Sequence, residues 1–259
     1  MTDRTFVSQS SGPIVLGIDL PVGSVRVQVL DNITAARVVL RTDDASGPAA
    51  DAISRARSNQ DGQALAVEVP EIPSNVITQT IRGNRITQTI GTLHGSVTGA
   101  TFVNGKWVAG GVTGVMDVVS PIEAIVTLPV GSSLAVVSQS ADAIVRGNVD
   151  RMEFRSVSGD LRIDGAGSLN ATTTSGDLSV GHLTGRLHAG SVSGDIAVGF
   201  YSGTHADLST TSGDVLVRAA DATSGSLRAE TVSGDVRVIG GSSGLRISAR
   251  SVSGDVRRS

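Results

Sequence analysis

Arg155-Ser156-Val157-Ser158-Gly159-Asp160-Leu161-Arg162-Ile163 holds the tripeptide that decides how this chain folds. Ser-Gly-Asp occurs six times, with its Gly and Asp at Gly159/Asp160, Gly176/Asp177, Gly194/Asp195, Gly213/Asp214, Gly234/Asp235 and Gly254/Asp255. Successive copies lie 17 to 21 residues apart. A period of about 20 residues is the length of one coil of a β-solenoid.

The residues around the tripeptide show what each coil contains. Six, four and two positions before the serine stand Met152/Phe154/Ser156, Leu169/Ala171/Thr173, Leu187/Ala189/Ser191, Ala206/Leu208/Thr210, Leu227/Ala229/Thr231 and Ile247/Ala249/Ser251. After the Asp come Leu161/Ile163, Leu178/Val180, Ile196/Val198, Val215/Val217, Val236/Val238 and Val256. Both runs alternate with mainly polar residues, the period of a half-buried strand. Each coil is therefore two short strands bent at Ser-Gly-Asp, with Gly supplying φ > 0 and Asp or Ser bonding local backbone. A degenerate copy, Ser140-Ala141-Asp142, precedes the six at the same offsets, with Ile144 in the role of Leu161. The expected fold is all-β: a parallel β-solenoid (β-helix) of about seven coils over 118–259, stacked into a rod of roughly 30 Å.

Upstream, 14–20, 24–30, 34–41 and 64–69 alternate as strands, and Ser46-Gly47-Pro48 followed by 49–57 reads as one short helix with Pro in its first turn. Leu20-Pro21-Val22-Gly23-Ser24 recurs as Leu128-Pro129-Val130-Gly131-Ser132, which suggests one corner used twice. Residues 1–74 are thus expected to start or cap the solenoid. Residues 75–117 form a β-hairpin insertion: Ile77-Thr78-Gln79-Thr80-Ile81 repeats at 86–90 around Arg82-Gly83-Asn84, and Phe102 and Trp107 flank Asn104-Gly105, a type I′ hairpin signal. The insertion carries the single Trp and the single Lys of the chain, so Trp107, Phe102 and Lys106 are the candidate contact residues.

The strand, Leu-Pro-Val-Gly-Ser, strand arrangement followed by repeated Ser-Gly-Asp resembles the bacterial DUF4097 "putative adhesin" family over 12–72 and 118–259. That resemblance implies a β-solenoid and a link to the cell envelope.

Composition narrows the function. With no cysteine, disulfides, thiolate metal sites and Cys nucleophiles are excluded. Net charge is −3 and the basic residues are scattered, which argues against a nucleic-acid partner. No run approaches a membrane span, and no apolar segment follows Met1-Thr2-Asp3-Arg4, so no membrane insertion and a cytoplasmic location are expected. The Asp column could hold calcium between coils, but a turn role suffices for it, and no cofactor or metal is expected. His94, His182, His188 and His205 lack ligand spacing, although His182 and His188 straddle a turn and could meet. Gly165-Ala166-Gly167 lacks the third Gly and the helix of a dinucleotide fingerprint.

The expected function is that of a non-enzymatic scaffold acting in protein–protein interaction or self-assembly. The alternative is a carbohydrate-binding or carbohydrate-active β-helix, whose catalytic form needs long loops with clustered acids and aromatic platforms. Short uniform turns and 2% aromatic content disfavour that form. The run 251–259 ends the repeats without a capping helix, which points to a homo-oligomer joined at that end.

Overall fold

In the computed structural model, residues 1–72, 120–241 and 243–259 are described in full, and between them the strands 76–82, 85–90, 100–103, 106–109 and 117–119 by their backbone. The chain is a nearly all-β parallel solenoid of about six turns with one helix. Its N-terminal part comprises β1 (Thr2–Val7), β2 (Val15–Asp19), β3 (Val22–Leu30), β4 (Arg37–Thr42), α1 (Pro48–Arg55), β5 (Arg57–Asp61) and β6 (Ala64–Glu68). The insertion holds β7 (Val76–Arg82), β8 (Arg85–Ile90), β9 (Ala100–Val103), β10 (Lys106–Ala109) and β11 (Asp117–Val119). The coils follow as β12 (Ile122–Pro129), β13 (Ser133–Val137), β14 (Ser140–Ser156), β15 (Leu161–Thr173), β16 (Leu178–Leu183), β17 (Arg186–Ser193), β18 (Ile196–Tyr201) and β19 (His205–Ser212). The last are β20 (Val215–Ala219), β21 (Gly225–Ser233), β22 (Val236–Gly240), β23 (Leu245–Ser253) and β24 (Val256–Arg258).

The fixed offsets of the repeat become the register of the stack. Leu161, Leu178, Ile196, Val215 and Val236 pair in succession along one face, each 0–1% exposed. On the other face Leu134, Met152, Leu169, Leu187, Ala206 and Leu227 pair in the same way. The interior also exchanges volume between columns. Leu187-His188-Ala189 is followed by Ala206-Asp207-Leu208, so a large residue in one column sits beside a small one in the next. That keeps a narrow core filled at constant cross-section. Each buried aliphatic side chain contributes about 1.5–3 kcal/mol.

Two expectations are corrected. Ala143, not Ile144, takes the role of Leu161: Ala143 pairs with Leu161 and is buried, whereas Ile144 pairs with Arg162. The inward position is the one directly after the Asp, and strand alternation then turns Ile144 outward. The two Leu-Pro-Val-Gly-Ser segments lie at opposite corners, since the first leads from β2 into β3 and the second from β12 into β13. Strand β12 stacks on β3, and β13 on β2. Of the two roles expected for residues 1–74, β2 and β3 take that of starting the solenoid, as parallel rungs beneath β13 and β14. Residues of both segments share one core.

The two ends differ. At the N-terminal end β4 runs antiparallel between β12 and β1, and β5 pairs antiparallel with β6. Helix α1, shorter than the expected 49–57 because Arg57 already begins β5, buries Ala49, Ala50, Ala52 and Ile53. Pro48 sits in its first turn, with Asp51 and Arg55 placed to suit the helix dipole. At the other end, among the described residues, β23 pairs with β21 and β24 with β22, and each leaves an open edge. In the insertion, β7 and β8 form an antiparallel hairpin from Ile77↔Ile90 to Arg82↔Arg85, and β9 and β10 another, with Trp107 opposite Phe102 and Lys106 opposite Val103. The turn residues 83–84 and 104–105 lie outside the described residues.

Candidate interaction surfaces

The Ser-Gly-Asp corner is the most regular chemical feature of the molecule. The Oδ1 of each Asp accepts a hydrogen bond from the backbone N–H of the Asp one coil further on. This chain runs from Asp142 through Asp160, Asp177, Asp195, Asp214 and Asp235 to the amide of Asp255, at 2.7–3.1 Å. The carbonyl of each Asp accepts in turn from the residue after the preceding Asp, as Ile196 N–H donates to Asp214. The carboxylates thus continue the backbone ladder around the bend.

Behind them, the Thr173, Ser191, Thr210, Thr231 and Ser251 hydroxyls each donate to the Gly carbonyl of the preceding coil at 2.8–3.4 Å. These hydroxyls face inward, and those of the four inner coils sit on residues that are 4–7% exposed. The glycines serve a purpose other than the expected one. Of the six, only Gly234 and Gly254 have positive φ. A Cβ at Gly194 would lie 2.0 Å from the Gly176 carbonyl oxygen, and the other five corner glycines meet the coil below within 2.1–2.2 Å. Close stacking, not turn geometry, demands glycine here.

The residues proposed from sequence for partner contact, Trp107, Phe102 and Lys106, sit on β9 and β10, and their side chains lie outside the described residues. His182 and His188 do not meet. His182 packs against Phe200 with ring centroids 5.1 Å apart, and His188 lies 3.8 Å from Asp207 on the other face. His205 shares a hydrogen bond with Ser226. Among the described residues no three His, Asp or Glu side chains converge as metal ligands.

Two surface grooves carry no sequence motif. One, of about 490 Å3, runs between Arg26, Gln28, Ile125, Thr127, Ile144 and Arg146. Beside it Glu123 bridges Arg26 at 2.8 Å and accepts from Arg41 Nε at 2.7 Å. The other, of about 600 Å3, crosses the outer side of β14, β15 and β17. Its residues stand one place before or after the core columns, so the alignment that found the core also places them in rows. Burial perturbs two titrating groups. Burial raises Asp19, with Glu68 and then Glu71 adding to the effect, and burial pushes the Tyr201 phenol up to about 12.

A family model described as Toastrack DUF4097 matches residues 74–257. Two crystal structures called "putative adhesin" share the fold. One, from Bacteroides fragilis, is 14% identical with a TM-score of 0.56, and the alignment covers 100% of this chain and 97% of that one. The other, from Parabacteroides distasonis, is 11% identical with a TM-score of 0.51, over 100% of this chain and 97% of the other. No curated protein matches the chain.

Proposed function

The chain belongs to the Toastrack DUF4097 family, and on that premise we propose that this β-solenoid scaffold works by strand addition of a second copy at its open end and catalyses no reaction. The observation that carries the reading is the asymmetry of the rod. Helix α1 and antiparallel strands close one end, whereas at the other the nine-residue β23 offers an edge that is unpaired among the described residues. Such an edge is a template for another strand. Val252 and Val256 beside it are 81% and 42% exposed. Arg257, paired with Asp255 at 3.1 Å, and Arg258 oppose docking there.

The reading of a non-enzyme draws on the two grooves described above, whose lining includes a single carboxylate, Glu153. No helix among the described residues is long and apolar enough to cross a membrane. The cytoplasmic location expected from the sequence stays part of the proposal and is tested by fractionation of the native protein.

Light scattering across a range of micromolar concentrations tests the association. The mass is expected to rise with concentration. Val252→Lys with Val256→Lys places charge on the edge and should leave a monomer that melts as the parent does, because both side chains are exposed. A parent that stays monomeric throughout would show that Arg257 and Arg258 merely guard the end.

A further inference from the structure

We propose that the groove across β14, β15 and β17 binds an acidic glycan, with Arg151 and Arg186 each taking a carboxylate. The two arginines occupy the same row of the outer face, on either side of Ser168: Arg151 pairs with Ser168, and the row continues into Arg186 one residue before Leu187, the partner of Leu169. They therefore stand two strand spacings apart, about 9.6 Å. That is close to the repeat of carboxylates on alternate sugars of an extended uronic-acid chain.

Both guanidinium groups are available. Of the acids nearest in sequence to Arg151, Asp150 makes no ion pair with it among the described residues, and Glu153, which also lines the groove, is paired with Arg155 at 2.7 Å instead. Neither Arg151 nor Arg186 has an ion pair or side-chain hydrogen bond among the described residues. Two unpaired positive charges over a groove of about 600 Å3, in a chain of net charge −3, form a local site of sign opposite to the whole. A guanidinium fork matches a carboxylate in two parallel bonds.

The floor selects the class of ligand. Between the arginines lie the Ser168 hydroxyl and the Asn170 amide, with the His188 ring at the side. These offer donors and acceptors to ring hydroxyls. An acidic peptide would seek a free strand edge for its backbone, and this groove has none, because β14, β15 and β17 are each paired with neighbours in the sheet. A nucleic acid would seek stacking platforms, and no Phe, Tyr or Trp lines the groove. The site lies mid-sheet, away from β23, so it stands or falls independently of the end-to-end association.

Titration calorimetry with tetragalacturonate at low salt tests the proposal. Saturable binding is expected, about tenfold weaker in Arg151→Gln and in Arg186→Gln, lost in the double variant, and unchanged in Arg237→Gln on the opposite face. Added salt should weaken it. The substituted side chains are exposed, so melting temperatures should not move. If the double variant nevertheless unfolds, the fully methyl-esterified tetrasaccharide decides with the unmodified protein, because it keeps the hydroxyls and loses the charge. The proposal is overturned by absence of saturable heat, by equal binding of the ester, by equal binding of tetraglutamate, or by an equal loss in Arg237→Gln.

Discussion

Asp195 shows how one residue type can fix a stack. Its Oδ1 accepts from the Asp214 amide, while its own amide donates to Asp177. Asp195→Asn keeps an oxygen at that position and should change stability by less than about 0.5 kcal/mol. Asp195→Ala removes the acceptor and should cost about 1 kcal/mol, read by urea melts. Calcium should alter neither, since the rung needs no ion. Gly194→Ala belongs to the same corner but acts by contact, because its methyl would meet the Gly176 carbonyl. About 1–3 kcal/mol of destabilisation is expected.

Tyr201 gives a pH signature at the same scale. It is fully buried and its hydroxyl makes no well-formed hydrogen bond. Burial raises its folded pKa to about 12, against 10 for an exposed phenol, an effect that the His205 backbone only partly offsets. Between these values the unfolded chain loses its proton first, so stability falls as pH rises from 10 towards 12. Tyr201→Phe should melt no lower than the parent at neutral pH and show a flatter decline in that alkaline window.

At the scale of the element, the unit is the column. Ile196 lies between Leu178 and Val215 and is 1% exposed. Ile196→Asp buries an unpaired charge at a cost of several kcal/mol and should unfold neighbouring coils together, visible as a lower, broader melting transition. An unchanged melting curve would refute the column assignment. These columns were legible in the sequence because stacking repeats one environment at fixed offsets. The N-terminal rungs were harder to see. Val22-Gly23-Ser24 occupies the corner column of Ser140-Ala141-Asp142, yet it lacks both the Ser and the Asp that mark it. Strand β1 shows no apolar alternation, because Thr2–Val7 carries Asp3 and Arg4 side by side, and it joins the sheet through a distant partner, β4. Glycine's true role was also hidden, since sequence reports a missing side chain and not which neighbour excludes it. The groove residues were visible only as rows, because pairing among Arg151, Glu153 and Arg155 depends on rotamers that periodicity does not fix.

For the whole molecule, continuity of the rod across the insertion is the main structural statement. Strand β12 stacks directly on β3 over eight residue pairs, so the coils before and after 75–117 make one body. Replacing 76–117 by a short Gly-Ser linker should leave the solenoid folded, with strand content and melting temperature retained. Collapse of the rod would mean that Trp107 and its hairpins complete the core instead of serving contact.

The rod has a direction, closed at α1 and, among the described residues, open at β23, and the proposed association depends on it. Amide hydrogen exchange of Leu245–Ser253, followed across protein concentration, tests it most directly. The amides on the open side of β23 should exchange freely in dilute protein, become protected as concentration rises, and stay unprotected in the Val252→Lys, Val256→Lys variant. Exchange at β23 that is independent of concentration would contradict the claim.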